Sequence, residues 1–186
     1  MMKKAERLLG KGRMAPTTAP KRNMPNQHRH VALTVNGKEI DLDIDSRTTL
    51  AELLREELGL MGTKVGCNRG ACGSCTVLLD GRPVYSCTVL AVETGGREVL
   101  TIEGIFGAGG KLHPLQEAFI EHDALQCGFC TPGMVMSLKS LLETKPRPSE
   151  EEVRKAIDGN LCRCGCYPNI IRAAVAAAEK MAGQGG

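Results

Sequence analysis

Apolar and polar positions first fall into register at Val31-Ala32-Leu33-Thr34-Val35, a short run of the kind that fills one strand. Asn36-Gly37 follows, the strongest two-residue hairpin signal, and Ile40, Leu42 and Ile44 then alternate with charged residues. The pattern predicts a β-hairpin. Leucines at 50, 53, 54 and 58 mark one face of a helix opened by Thr49 and closed by Gly59. Strands are predicted over Thr76–Leu79 and Val84–Val89, joined by a turn at Asp80-Gly81, with Cys87 on the second. A last strand is predicted at Val99–Ile102, so a small α+β unit ends near Gly104.

Residues 105–112 are rich in glycine and read as a linker. Beyond them the periodicity is helical throughout. Pro114 starts a helix over Leu115–His122, with His113 before it as a capping or packing residue. Pro132 starts a second over Met134 to Leu142, with Thr131 placed to cap it. Ser149 and Glu152 form a capping box for a third helix through Ile157. Pro168 starts the fourth, from Ile170 to Met181, whose many alanines allow close approach by its neighbours. Four short helices with short connections make a bundle. The expected division is therefore a leader over 1–29, an α+β domain over 30–104, a linker over 105–112, a four-helix domain over 113–182 and a tail over 183–186.

Composition narrows the picture. The 186 residues are 42% hydrophobic but only 3% aromatic, and nine are cysteine. An odd cysteine count without a secretory signal favours metal ligation over a disulfide framework. No apolar run reaches the roughly 18 residues of a membrane span. Residues 1–30 carry eight Lys/Arg and one Glu, net +7, while the remainder has sixteen Lys/Arg against twenty Asp/Glu, net −4. The leader has no apolar periodicity and no hydrophobic segment, so it reads as a disordered basic leader, the alternative being a segment that folds onto an acidic partner chain or binds nucleic acid.

Eight of the cysteines fall into two sets. Cys67-x4-Cys72-x2-Cys75-x11-Cys87 has the spacing of a plant-type ferredoxin site. Gly62, Gly66, Gly70 and Gly73 let the backbone wrap tightly there and turn N–H groups inward. Zinc sites usually pair their ligands as C-x₂₋₄-C twice, and this triple on one loop suits them poorly. The second set, Cys127-x2-Cys130 with Cys162-x-Cys164, is less diagnostic and would serve zinc as well as iron. Each of its halves stands at a helix start, where the dipole and free N–H groups favour negative sulfur. The 31 residues between Cys130 and Cys162 suit an out-and-back helical hairpin that brings the halves together. Cys166 belongs to neither set.

Four segments together carry a resemblance to a known family: Gly62 through Val77, Leu112 through Gln116, Gln126 through Met134, and Gly159 through Cys164. From about Val31 to Met181 the chain resembles the iron–sulfur subunit of the molybdenum hydroxylases, the xanthine dehydrogenase and aldehyde oxidase family. The resemblance implies an N-terminal β-grasp, ferredoxin-like domain and an all-α four-helix domain, each with one [2Fe-2S] cluster. It implies a heterotrimer with a large molybdopterin-binding subunit and a medium FAD-binding subunit. Electrons would pass from molybdenum to the helical-domain cluster, then to the ferredoxin-domain cluster and FAD. It places Gln126 and Cys164 beside the pterin. Gly165-Cys166 departs from the Thr-Gly of many members and puts a further sulfur near that contact.

The two cluster domains use residues 31–181, so flavin and molybdopterin chemistry belongs on other chains, and no catalytic residue is expected here. Two other functions fit less well. A free-standing [2Fe-2S] carrier would leave the helical domain surplus and would usually be strongly acidic. A zinc module with a nucleic-acid-binding leader lacks interleaved aromatics and any reader motif, so no nucleic acid is expected. A cytoplasmic location and no membrane span are expected.

Overall fold

The computed structural model describes residues 27–106 and 108–183. Residues 1–26 of the expected leader, Gly107 of the expected linker and residues 184–186 of the expected tail lie outside these. β1 (His28–Val35) and β2 (Lys38–Asp45) form the expected hairpin, antiparallel from Val35↔Lys38 to His28↔Asp45. Asn36 (φ 52°) and Gly37 (φ 74°) supply the two left-handed residues of its turn. The strand takes in His28 and Arg29, so the last two residues of the expected leader are strand residues.

Thr49 caps α1 (Leu50–Glu52) through a reciprocal bond with Glu52. The helix then widens into a π-turn over Leu53–Glu57, in which Leu58 N–H reaches back to the Leu53 carbonyl. The leucine spacing predicted the buried face but not this change of pitch. β3 (Thr76–Leu79), β4 (Arg82–Tyr85) and β5 (Glu98–Leu100) complete a mixed five-stranded sheet in the order β2-β1-β5-β3-β4. Within it β1 and β5 run parallel and the other neighbours antiparallel. A mixed sheet with one helix across it is a β-grasp.

The second half is helical: α2 (Pro114–Glu121), α3 (Thr131–Thr144), α4 (Glu150–Ile157) and α5 (Tyr167–Gly183). His113 caps α2, its Nδ1 accepting the Leu115 N–H while Gln116 returns a bond to the His113 N–H. Ser149 and Glu152 form the expected capping box. Thr131 does not cap α3. It is the first helical residue, and Cys130 occupies the capping position without a side-chain bond.

Two cores meet on one strand. Val31, Leu33, Val35, Leu50, Leu53, Leu54, Val77, Leu79 and Val99 bury one side of the sheet under α1. Leu78 points the other way, into the core formed by Leu115, Phe119, Met134, Leu138, Val153 and Ile170. All four residues of β3 are therefore buried, and α3 lies directly on it.

Candidate metal centres

The first cysteine loop leaves α1 and runs to β3. Arg69, Ala71 and Cys72 present backbone N–H groups to Cys67 Sγ, with Ala71 N at 3.2 Å. These donors, Arg69 first, bring the Cys67 thiol from 9.0 down to about 7. The Cys67 and Cys72 thiols lie within hydrogen-bonding reach of each other. Cys75 meets Cys87 in the same way, and burial pushes Cys75 up to about 11.

Cys87 is not on a strand. β4 stops at Tyr85 because buried Ser86 donates both its hydroxyl (2.7 Å) and its N–H (3.3 Å) to the Cys75 carbonyl. That grip bends Ser86–Thr88 into a 3-10 turn and lays Cys87 against Cys75.

The second set assembles across the helical half. Cys130 stands at the N-terminus of α3 within reach of Cys162, and burial pushes Cys130 up to about 12. At Cys162 burial also pushes upward, but the N–H groups of Cys166, Cys164 and Gly165 and the Cys130 thiol outweigh it, so that thiol is lowered. Cys127 and Cys164 lie close enough to Cys166 to act on its charge. Cys127 is exposed, whereas Cys130, Cys162 and Cys164 are half-buried. Cys166, the ninth thiol, is buried against Cys162. Gln126 is exposed beside Cys127.

In the first set the sulfurs thus meet two by two, and in the second Cys162 meets both Cys130 and Cys166. A single tetrahedral zinc needs its ligands around one point. A two-iron cluster held by four cysteines takes two thiolates at each iron, which the pairs Cys67/Cys72, Cys75/Cys87 and Cys130/Cys162 fit.

The two loops touch. Leu161 N–H donates to the Cys72 carbonyl at 2.9 Å. Asn160 Nδ2 donates to the Gly73 carbonyl at 2.9 Å and to Thr76 Oγ1 at 3.2 Å. Gly133 of α3 lies so close that a Cβ there would run into the Gly73 carbonyl. Both tyrosines of the chain brace the second loop, Tyr85 donating its O–H to the Gly159 carbonyl (3.2 Å) and Tyr167 to the Asn160 carbonyl (3.1 Å). Tyr167 Oη also accepts the Cys162 N–H at 2.8 Å. The sequence alone assigned no role to Asn160, Tyr85 or Tyr167. The available signal was two tyrosines placed beside cysteines in a chain nearly devoid of aromatics.

Paired thiols on two loops, wrapped in backbone donors, define an iron–sulfur protein. The family comparison agrees. Residues 33–99 match the 2Fe-2S iron-sulfur cluster binding domain and residues 101–175 the [2Fe-2S] binding domain. The chain is 45% identical to the nicotine 6-hydroxylase small subunit of Paenarthrobacter nicotinovorans, over 87% of this chain and 97% of that one. It is 49% identical to caffeine dehydrogenase subunit gamma of Pseudomonas sp. CBB1, over 77% and 87%. Among solved structures, quinoline 2-oxidoreductase from Pseudomonas putida 86 superposes with a TM-score of 0.78 at 48% identity, over 82% and 95%. The chain belongs to the family of small iron–sulfur subunits of the molybdenum hydroxylases. It is an electron-carrying subunit of an oxidoreductase, with the substrate chemistry on another chain.

Proposed function

We propose that Cys67, Cys72, Cys75 and Cys87 hold one [2Fe-2S] cluster and that Cys127, Cys130, Cys162 and Cys164 hold the other. The chain then links a molybdopterin centre on a large partner subunit to FAD on a medium one. The observation that carries this reading is the meeting of the sulfurs, Cys67 with Cys72 and Cys75 with Cys87 in the first set and Cys130 with Cys162 in the second. Each cluster, when bound, supplies a site that takes up and releases one electron. The chain's own part is to hold the thiolates, to stabilise negative sulfur with backbone N–H groups, and to keep the two loops in contact.

The units doing this are proposed as residues 30–104, extended back to His28 by β1, and 113–182, with 105–112 between them. Gln126 and Cys164 are proposed as the contact with the pterin. Support comes from the exposed Gln126 amide and from Leu125, Phe129 and Leu161, large apolar side chains left exposed around the second cysteine loops. A partner seated there would cover all three. The substrate pocket belongs to that partner. Among the described residues no helix is long and apolar enough to cross a membrane. A cytoplasmic location, where thiols stay reduced, is part of the proposal and is checked by cell fractionation.

Protein purified without oxygen should contain about four iron and four acid-labile sulfide per chain, in two distinct paramagnetic centres when reduced. One zinc with two irons would overturn the two-cluster reading. Gln126→Ala should keep both clusters yet weaken the complex by about 1–3 kcal/mol if a buried partner group is left unpaired. Unchanged complex stability and unchanged cluster reduction by substrate would remove Gln126 from the interface.

A further inference from the structure

Asn160 sits where three cysteine-bearing segments meet. It is 3% exposed and precedes Cys162 by two residues. Its Nδ2 donates to the carbonyl of Gly73, between Cys72 and Cys75, and to Thr76 Oγ1. Its Oδ1 accepts the hydroxyl of Ser137 at 2.9 Å, on the helix that starts at Cys130.

The site reads an amide in one orientation. Gly73 O and Thr76 Oγ1 both take protons from Nδ2, and buried Ser137 gives one to Oδ1. A carboxylate would set an acceptor against the Gly73 carbonyl. An apolar side chain would leave the Ser137 hydroxyl without its acceptor. The next residue, Leu161, makes the backbone bond that joins the two cysteine loops.

We infer that Asn160 is a positioning residue for electron transfer. It clamps the second cysteine loop on the first, so that the Leu161–Cys72 bond stays made and the two centres keep a single separation. The inference rests on the reading that the two cysteine sets hold two clusters. It goes beyond that reading in assigning the fixed separation to one side chain outside both ligand sets. Tyr85 also crosses the seam: its ring packs beside Cys75 and Cys87, and its hydroxyl bond ends on the Gly159 carbonyl, so Tyr85→Phe removes that one bond and keeps the packing.

The test uses the full chain, purified without oxygen, with iron and sulfide counted before any comparison. Both centres are then fully reduced and the dipolar interaction between them is measured by pulsed electron paramagnetic resonance. The unsubstituted chain should give one narrow distance distribution. Asn160→Asp, with both clusters at full occupancy, should broaden it and add a longer-distance component, while Tyr85→Phe should leave it narrow. If Asn160→Asp does not retain its clusters, Ser137→Ala replaces it. That change frees only Oδ1, and a smaller broadening is expected. A narrow, unshifted distribution in the substituted chain overturns the inference. So does a broad one in the unsubstituted chain, or equal broadening in Tyr85→Phe. A low iron and sulfide count in the unsubstituted chain would instead strike the two-cluster reading itself.

Discussion

The N–H of Leu161 donates to the carbonyl oxygen of Cys72 across 2.9 Å. Each partner is in or next to a proposed ligand: Cys72 belongs to the first set, and Leu161 is bonded to Cys162. A path from sulfur to sulfur therefore runs through covalent bonds and a single hydrogen bond. Leu161→Pro removes the N–H and should slow electron passage between the centres, at a cost of about 1 kcal/mol in stability. Leu161→Ala keeps the N–H and trims an exposed side chain, so the rate should hold. Flash reduction of one centre, followed at the other, compares them.

Cys72→Ser should abolish or alter the first paramagnetic signal and leave the second near full intensity, and Cys130→Ser should do the reverse. The two sets share no thiol and are joined through backbone and amide bonds. Loss of both signals from either folded variant would contradict this.

Gly133→Ala forces a Cβ into the Gly73 carbonyl, where backbone on both sides resists movement. Overpacking of this kind should cost about 1–3 kcal/mol. It should lower the thermal midpoint more than Gly37→Ala, where nothing occupies the space and only the turn geometry objects.

His113 caps α2 as a neutral acceptor, and burial, with the nearby Lys139 charge, lowers its pKa from 6.5. The unfolded chain therefore takes the proton first as pH falls. The cap's contribution is complete above 6.5 and is lost as pH drops through the lower folded value. His113→Asn keeps an acceptor that does not titrate, so its stability should fall less than that of the parent between neutral and mildly acidic pH. Parallel unfolding curves check the difference.

Deleting residues 1–26 should leave both clusters in place and weaken attachment to an acidic partner surface, an effect that shrinks as salt rises. Extending the deletion through Arg29 removes two residues that pair with Asp45 and Ile44 and should lower the thermal midpoint as well.

Local chemistry made much of this structure readable. Asn36-Gly37 fixed the hairpin, and Thr49 with Glu52 and Ser149 with Glu152 fixed two helix starts. The cysteine spacings separated the two sets. What escaped was set by distant partners. Asn160 and Gly73 are 87 residues apart, and neither carries a local sign of the other. The Val84–Val89 run looked like a strand because nothing nearby shows that Ser86 will bond to the Cys75 carbonyl and bend the chain. The π-turn after Glu52 escaped because Leu50, Leu53, Leu54 and Leu58 mark the same face with or without a wider turn.

β3 has a core against each face, Val77 and Leu79 on one side and Leu78 on the other. Such a strand has no outside. Cutting the gene between the sheet half and the helical half would not yield two portable parts. The first would arrive with the Leu78 face bare, and the second with α3 deprived of its floor. Anyone assembling electron relays from natural pieces would need to move the whole stretch from β1 to α5 as one cartridge, and to redesign the joint on the partner instead.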